Sequence, residues 1–449
     1  MTDKPEFKIT VDRNEYLPMT GGEAHAIVSV ESKGGAVAAA PNVAAAEVII
    51  IDTSGSMDYP HNKIKSAIAA AKTAVDTLRD GVHFAIVGGT HKARMVYPAE
   101  ERLVPADAGT RRAAKAALGK LGADGGTAMG AWLVLANRLF DACPDGVRHA
   151  IMLTDGKNGE SGGQLEAALA ACAGRFVADC RGVGTDWEVA ELRKVASALL
   201  GTVDIVADPK DLVADFQAMI EAAMGKSVAG VALRVWTLPS AKLRYVKQVY
   251  PSMEDLTAKR TDVDGLSGDY PLGAWGAESR DYHICVELPP GDVGSRLRAA
   301  WVRVVLGDQV LASGNVLAEW TEDEMLSTRI SPKVADYTGQ AELVENVQAG
   351  LRAFKDDDVD TATARLGRAV ALAHKSGNEM IAGLLAKVVE VDDPATGTVR
   401  LKRTVDKADE MSLDTRSTKT VRTRREQNEG VTSMHYRGDV SVKQRPDRS

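Results

Sequence analysis

An α/β chain is predicted, with a doubly wound, mostly parallel sheet inserted in or flanked by a β-sandwich, a small C-terminal helical region and a disordered tail. Three observations carry this. From Ala46 to about Lys226, short apolar runs alternate with amphipathic segments. Before and after that stretch the pattern changes to short strands separated by turn residues. At 449 residues the chain is also too long for one typical domain, so two or three are expected.

The elements follow in order. Residues 5 to 32 alternate apolar and polar positions, as in "FKITVDR" and "AHAIVSVES", and read as strands. Gly34 to Asn42 is small and weakly patterned, a linker. The strands of the α/β stretch are "EVIIID", "HFAIVGG", "ARMVYP", "RHAIMLTD", "FVADCRGVG" and "TVDIVAD". The first intervening helix keeps Ile64, Ile68, Ala71, Val75 and Leu78 on one face. Strands apolar on both faces and separated by such helices specify a parallel sheet covered on both sides. Val228 to about Trp320 returns to short strands divided by clusters such as "PPGDVG", as in an antiparallel sandwich. The simplest arrangement pairs the amino-terminal strands with that sheet; a separate short arm is the alternative. Two or three short helices follow. The expected domains are 1–45, 46–226, 228–330 and 333–390, with a polar, basic tail at 404–449.

Composition narrows the function. The net charge of −7 argues against a nucleic-acid binder. From Arg400 onward 13 Lys/Arg face 8 Asp/Glu, a net of +5, which leaves −12 for the rest. Cys143, Cys172, Cys180 and Cys285 form no C-x-x-C pair and have no His cluster beside them in the sequence, which speaks for buried thiols and against zinc. "MTDKPEFK" contains no signal core, and no apolar run approaches the ~20 residues of a membrane span. A cytoplasmic protein is expected.

In open parallel sheets, ligands bind beyond the carboxyl ends of the strands. Asp52 closes "EVIIID" and Asp155 closes "RHAIMLTD". Ser54 and Ser56 follow the first, and Asn158 follows the second. "GADGGTAMG", residues 122 to 130, adds Thr127 at a helix start. These are hard oxygen donors suited to Mg²⁺, with Mn²⁺ or Ca²⁺ as alternatives. Read alone, "DTSGS" fits a helix start equally well, with Ser54 or Ser56 as its cap. Thr127 and Asp155 favour the ion. Asp58, Asp124 and His61 flank the motif and read as solvated loop residues.

Those residues carry a resemblance. "DTSGS", Asp52 to Ser56, matches the D-x-S-x-S signature of the von Willebrand factor type A domain, and "GGT" and "LTDG" match its threonine and aspartate elements in order. The resemblance covers roughly residues 46 to 226. It implies a Rossmann-like fold and a metal-ion-dependent adhesion site. There Ser54, Ser56 and Thr127 would ligate through hydroxyls, and Asp52 and Asp155 directly or through water. A partner protein would supply an acidic side chain. No G-x-S-x-G elbow or P-loop is present, so a non-enzymatic scaffold or signalling adaptor is expected. A metal-dependent hydrolase subunit and a self-assembling structural protein are the alternatives. In "DTRSTKTVRTRR", Thr415, Thr418, Thr420 and Thr423 lie among five basic residues and read as phosphorylation candidates. Cytoplasmic bacterial proteins similar to this one often belong with Ser/Thr kinases, phosphatases and phosphothreonine-binding modules, which the resemblance therefore suggests as partners.

Overall fold

Strand Ala45–Asp52 is the hub of the molecule, and all eight of its residues are buried. It pairs in parallel with Val147–Thr154 on one side and His83–Gly89 on the other. The computed structural model describes residues 6–33, 44–59 and 62–422. Val177–Val183 and Val203–Val206 extend the parallel array, and Ala93–Tyr97 closes the opposite edge antiparallel. Successive residues of the hub strand face opposite cores, because side chains alternate along a strand. Val48 and Ile50 pack with Trp132, Leu133 and Leu192 on one face. Ile49 and Ile51 pack with Ala67, Ala71 and Phe216 on the other. The α/β expectation holds.

Two sheets form the sandwich, antiparallel except where Tyr16–Pro18 pairs in parallel with Gln309–Thr321. The outer sheet runs in the order 6–13, 22–33, 278–288, 242–250 and 254–255. The inner sheet runs 261–262, 267–275, 228–237, 296–306, 309–321 and 16–18. Thus strands from before the α/β unit pair with strands from after it. Ser267–Trp275 is a strand that sequence patterning passed over, because Gly268, Pro271 and Gly273 give it the look of a turn.

Helices Pro332–Lys355, Val359–Ser376 and Glu379–Val388 form the third unit. A hairpin, Val389–Asp393 with Thr398–Leu401, and a helix, Lys407–Arg416, complete it. The described part of the expected disordered tail is therefore ordered. Arg416 and Lys419 both reach Asp204 of the α/β unit, at 2.8 and 2.7 Å. Thr420 Oγ1 donates to Val249 O of the sandwich at 2.6 Å. Gln340 and Val421 exchange two hydrogen bonds. The segment looks polar in isolation because its partners lie on other units. This corrects the phosphorylation candidates. Thr415 is buried with its hydroxyl on Met411 O, and Thr420 is buried on Val249 O. A kinase cannot reach either without unfolding the segment. Thr418 is half-buried, and Thr423 lies outside the described residues.

The amino ends of the parallel strands hold a buried ionic triad. His149 Nδ1 lies 2.9 Å from Glu47, and its Nε2 lies 3.0 Å from Asp179. Burial opposes a charge on the ring, but the two carboxylates outweigh it and raise His149 from 6.5 to about 10. Its contribution to stability is therefore complete below pH 6.5 and is lost as pH rises through about 10. An NMR titration should show this imidazole protonated at neutral pH; a midpoint near the ordinary 6.5 would contradict the assignment. His149→Ala leaves buried carboxylates without their cation and should cost about 3–5 kcal/mol, read as a lower urea midpoint.

Candidate metal centre

At the carboxyl ends of the same strands, three loops satisfy one another's backbones. Thr53 donates its N–H and its hydroxyl to Gly89 O, at 2.7 and 3.0 Å. Asp124 N donates to Thr53 O and Gly55 N to Gly125 O, which ties the Asp52 loop to the Thr127 loop. Gly125 has φ +83°, a conformation that favours glycine. Gly159 N donates to Thr127 O at 2.7 Å. Asn158 and Glu160 cap helix Met129–Phe140 by accepting from Met129, Gly130 and Ala131 N–H groups. Asn158 is thus a loop residue with a structural task.

This scaffold brings Asp52, Ser54, Ser56, Thr127 and Asp155 together. Asp52 Oδ1 accepts from Ser54 N at 2.7 Å, and its Oδ2 accepts from Thr154 Oγ1 at 2.5 Å. Ser54 Oγ lies 2.9 Å from Ser56 Oγ, which donates to Asp155 Oδ1 at 2.7 Å. Ser54 stands at the start of the short turn Gly55–Asp58, yet its hydroxyl makes no cap bond there. The cap reading of "DTSGS" therefore fails. Asp58 is exposed, and His61 lies outside the described residues.

The oxygen spacing suits a small hard cation. Octahedral Mg²⁺ with Mg–O distances of about 2.0–2.1 Å sets neighbouring ligands about 2.9 Å apart. The Ser54–Ser56 and Ser56–Asp155 hydrogen bonds, at 2.9 and 2.7 Å, already hold these oxygens near that spacing. Gly156 leaves the room: a Cβ there would stand 3.2 Å from Thr127 Oγ1, 3.5 Å from Ser56 Oγ and 4.0 Å from Asp52 Oδ2. Burial pushes the Asp52 carboxyl up to about 6, against the hydrogen bonds from Ser54 and Thr154, and nearby Asp155 adds to the rise. A cation would relieve that cost.

Sequence reading missed two contributors. Thr154 orients Asp52; it lies within the "LTDG" match, but nothing in those four residues points to a bond with a carboxyl 102 positions away. Lys63, on helix Asn62–Thr77, is buried with its Nζ 2.8 Å from Asp155 Oδ2 and 3.4 Å from Asp186 Oδ2. Only an apolar-periodic helix holding one buried Lys would have signalled it. Formally, Asp52, Asp155 and Lys63 sum to one negative charge. Gly156→Ala should keep the fold, since its backbone needs no positive φ, and should weaken Mg²⁺ binding by about tenfold or more in calorimetry.

The comparisons agree on architecture. The von Willebrand factor type A domain family matches residues 46–205, and the von Willebrand factor type A C-terminal domain family matches 371–417. The second match reaches through the helix at 407–416. The chain is similar to the von Willebrand factor type A structure from Catenulispora acidiphila at 50% identity, over 94% of this chain and 99% of that one, with TM-score 0.89. It is also similar to the ArnB paralog VWA2 from Sulfolobus acidocaldarius at 14% identity, over 92% and 98%, with TM-score 0.57. The human COPII-coat protein Sec24c matches at 10% identity, over 84% and 58%, with TM-score 0.51. The last two likenesses are of fold alone. No curated protein matches the chain.

Proposed function

The chain belongs to the von Willebrand factor type A family, and from that premise we propose a non-enzymatic, Mg²⁺-dependent protein-binding scaffold or signalling adaptor that captures an acidic side chain of a partner. The observation that carries this reading is the convergence of Asp52, Ser54, Ser56, Thr127 and Asp155 oxygens around the space beside Gly156. These five residues would hold the ion, with Mn²⁺ or Ca²⁺ as substitutes. When bound, the ion supplies an electrophilic position for an outside oxygen. Three of the five donors are neutral hydroxyls. Lys63 pairs with Asp155 and offsets one of the two carboxylates. One net negative charge against a divalent ion favours a third carboxylate from outside, which an Asp or Glu of a partner provides. Thr154 and the Ser54 amide fix Asp52 in advance, so little ordering is left to the moment of capture.

Catalysis is the weaker reading. A hydrolase needs a base within reach of the bound water. The amine nearest the cluster, Lys63, is engaged by two carboxylates. Self-assembly through the sandwich is the other alternative. Within this proposal, a kinase, phosphatase or phosphothreonine-binding partner finds Thr418 more accessible than Thr415 or Thr420.

A pull-down from native-cell lysate, run with Mg²⁺ and with chelator, tests the metal bridge. Capture should require Mg²⁺ and should vanish in Asp52→Ala and in Thr127→Ala while both variants stay folded. Capture that survives both substitutions and the chelator would sink the mechanism. Light scattering over a concentration series, with and without Mg²⁺, should show no metal-dependent self-association; growth of the particle with concentration would favour the structural alternative.

A further inference from the structure

A second cluster of ligating side chains lies on the sandwich, away from the Asp52 site. On strand Gly22–Lys33, Glu23 and His25 are two residues apart and so share a face. On strand Glu278–Leu288, His283 and Cys285 do the same. The antiparallel register places His25 directly opposite Cys285, and Tyr245 opposite Cys285 on the next strand. All five therefore stand on one face of the outer sheet. It is not the face that builds the sandwich core, which uses Ala24, Ala26, Ile284 and Val286. It looks instead toward helices Pro332–Lys355 and Val359–Ser376, across a cavity of about 460 Å³ lined by His25, Tyr245 and His283.

The ligand atoms of Glu23, His25 and Cys285 all lie within 4.8 Å of one another. His25 presents its two ring nitrogens to different neighbours. Nε2 lies 3.5 Å from Glu23 Oε2, while Nδ1 lies 3.2 Å from His283 Nε2 and 3.3 Å from the Tyr245 hydroxyl. The second ring and the hydroxyl hold the His25 imidazole in place, and in the tautomer protonated at Nδ1 its Nε2 offers a lone pair on the Glu23 side. Arg244 pairs with Glu287 at 2.7 Å and stands 4.0 Å from Glu23.

We infer that Glu23, His25 and Cys285 form a second metal site, for a borderline divalent cation of the Zn²⁺ type, with His283 and Tyr245 orienting His25. A thiolate, an imidazole and a carboxylate are the donor set zinc takes and Mg²⁺ does not. Binding displaces the Cys285 proton to solvent, so no redox step is needed. Three protein ligands leave one tetrahedral position for water. The absence of any C-x-x-C pair hid this site from sequence reading. Its signal is instead two i, i+2 pairs, "EAH" at 23–25 and "HIC" at 283–285, brought into register by the sheet.

Co²⁺ titration of the full chain, with Mg²⁺ in excess to block the Asp52 site, tests the inference through the thiolate-to-cobalt charge-transfer band. Wild type should show the band, saturating at one ion per chain and displaced by Zn²⁺. Asp52→Ala should keep it, which separates this site from the adhesion site. Cys285→Ser should lose it, and His25→Gln should weaken binding by about a hundredfold. Glu23 is half-exposed, so Glu23→Gln should leave the fold intact and weaken binding by about tenfold. A wild-type chain without the band, a band that survives Cys285→Ser, or unchanged affinity in both His25→Gln and Glu23→Gln would overturn the assignment.

Discussion

A strand covered on both faces cannot carry a polar side chain in its middle without a buried partner, and this constraint organises the molecule. Between Val48 and Ile51 the hub strand is wholly apolar and serves two cores at once. Its polar groups are driven to the ends. At the amino end, Glu47 is buried and must share His149 with Asp179. At the carboxyl end, Asp52 is buried and must find donors in the following turn and on the neighbouring strand. One end therefore holds a closed ionic triad, complete within the protein. The other holds oxygens in excess of hydrogens, which is a demand for a cation.

The three loops at that end are held by one another more than by the sheet. Backbone groups of Thr53, Gly55, Asp124 and Thr127 are spent on loop-to-loop hydrogen bonds. Asn158 and Glu160 are spent on the start of the helix after Thr127. With the backbone satisfied locally, the hydroxyls of Ser54 and Ser56 have each other and Asp155 as partners. Lys63 then adjusts the charge from below by taking the second oxygen of Asp155. Its position makes Asp155 a weaker counter-charge than a lone carboxylate would be.

The carboxy-terminal segment acts as a strap across the three units. Arg193 and Asp414 join it to the α/β unit, and Asp204 receives both Arg416 and Lys419. Burial would raise the Asp204 carboxyl, but those two cations outweigh it and hold it below the ordinary range. Arg422 stacks on Tyr250 and pairs with Asp281, a fully buried carboxylate that also accepts from Tyr337. Basic residues that look solvated along the chain are consumed by acids contributed from elsewhere. The orientation of the α/β unit relative to the sandwich is thus fixed by charge pairs as well as by apolar contact.

What the sequence alone determined is what depends on local periodicity and on short motifs. The apolar run before Asp52, the helical face from Ile64 to Leu78 and the strand-to-helix alternation state the α/β class without help, because each reports the burial of its own segment. Asp52, Ser54, Ser56, Thr127 and Asp155 were nameable because each sits beside a strand end or a glycine turn that has its own signature. What only the tertiary structure decided are the facts that need two distant segments at once. Lys63 meets Asp155 across 92 positions, Thr154 meets Asp52 across 102, and His25 meets His283 across 258. Thr415 and Thr420 read as exposed because nothing within the tail buries them; the surfaces that do, including Val249, lie elsewhere in the fold. A polar residue's partner is chosen by sheet register and helix packing, and neither is written in the few residues around it.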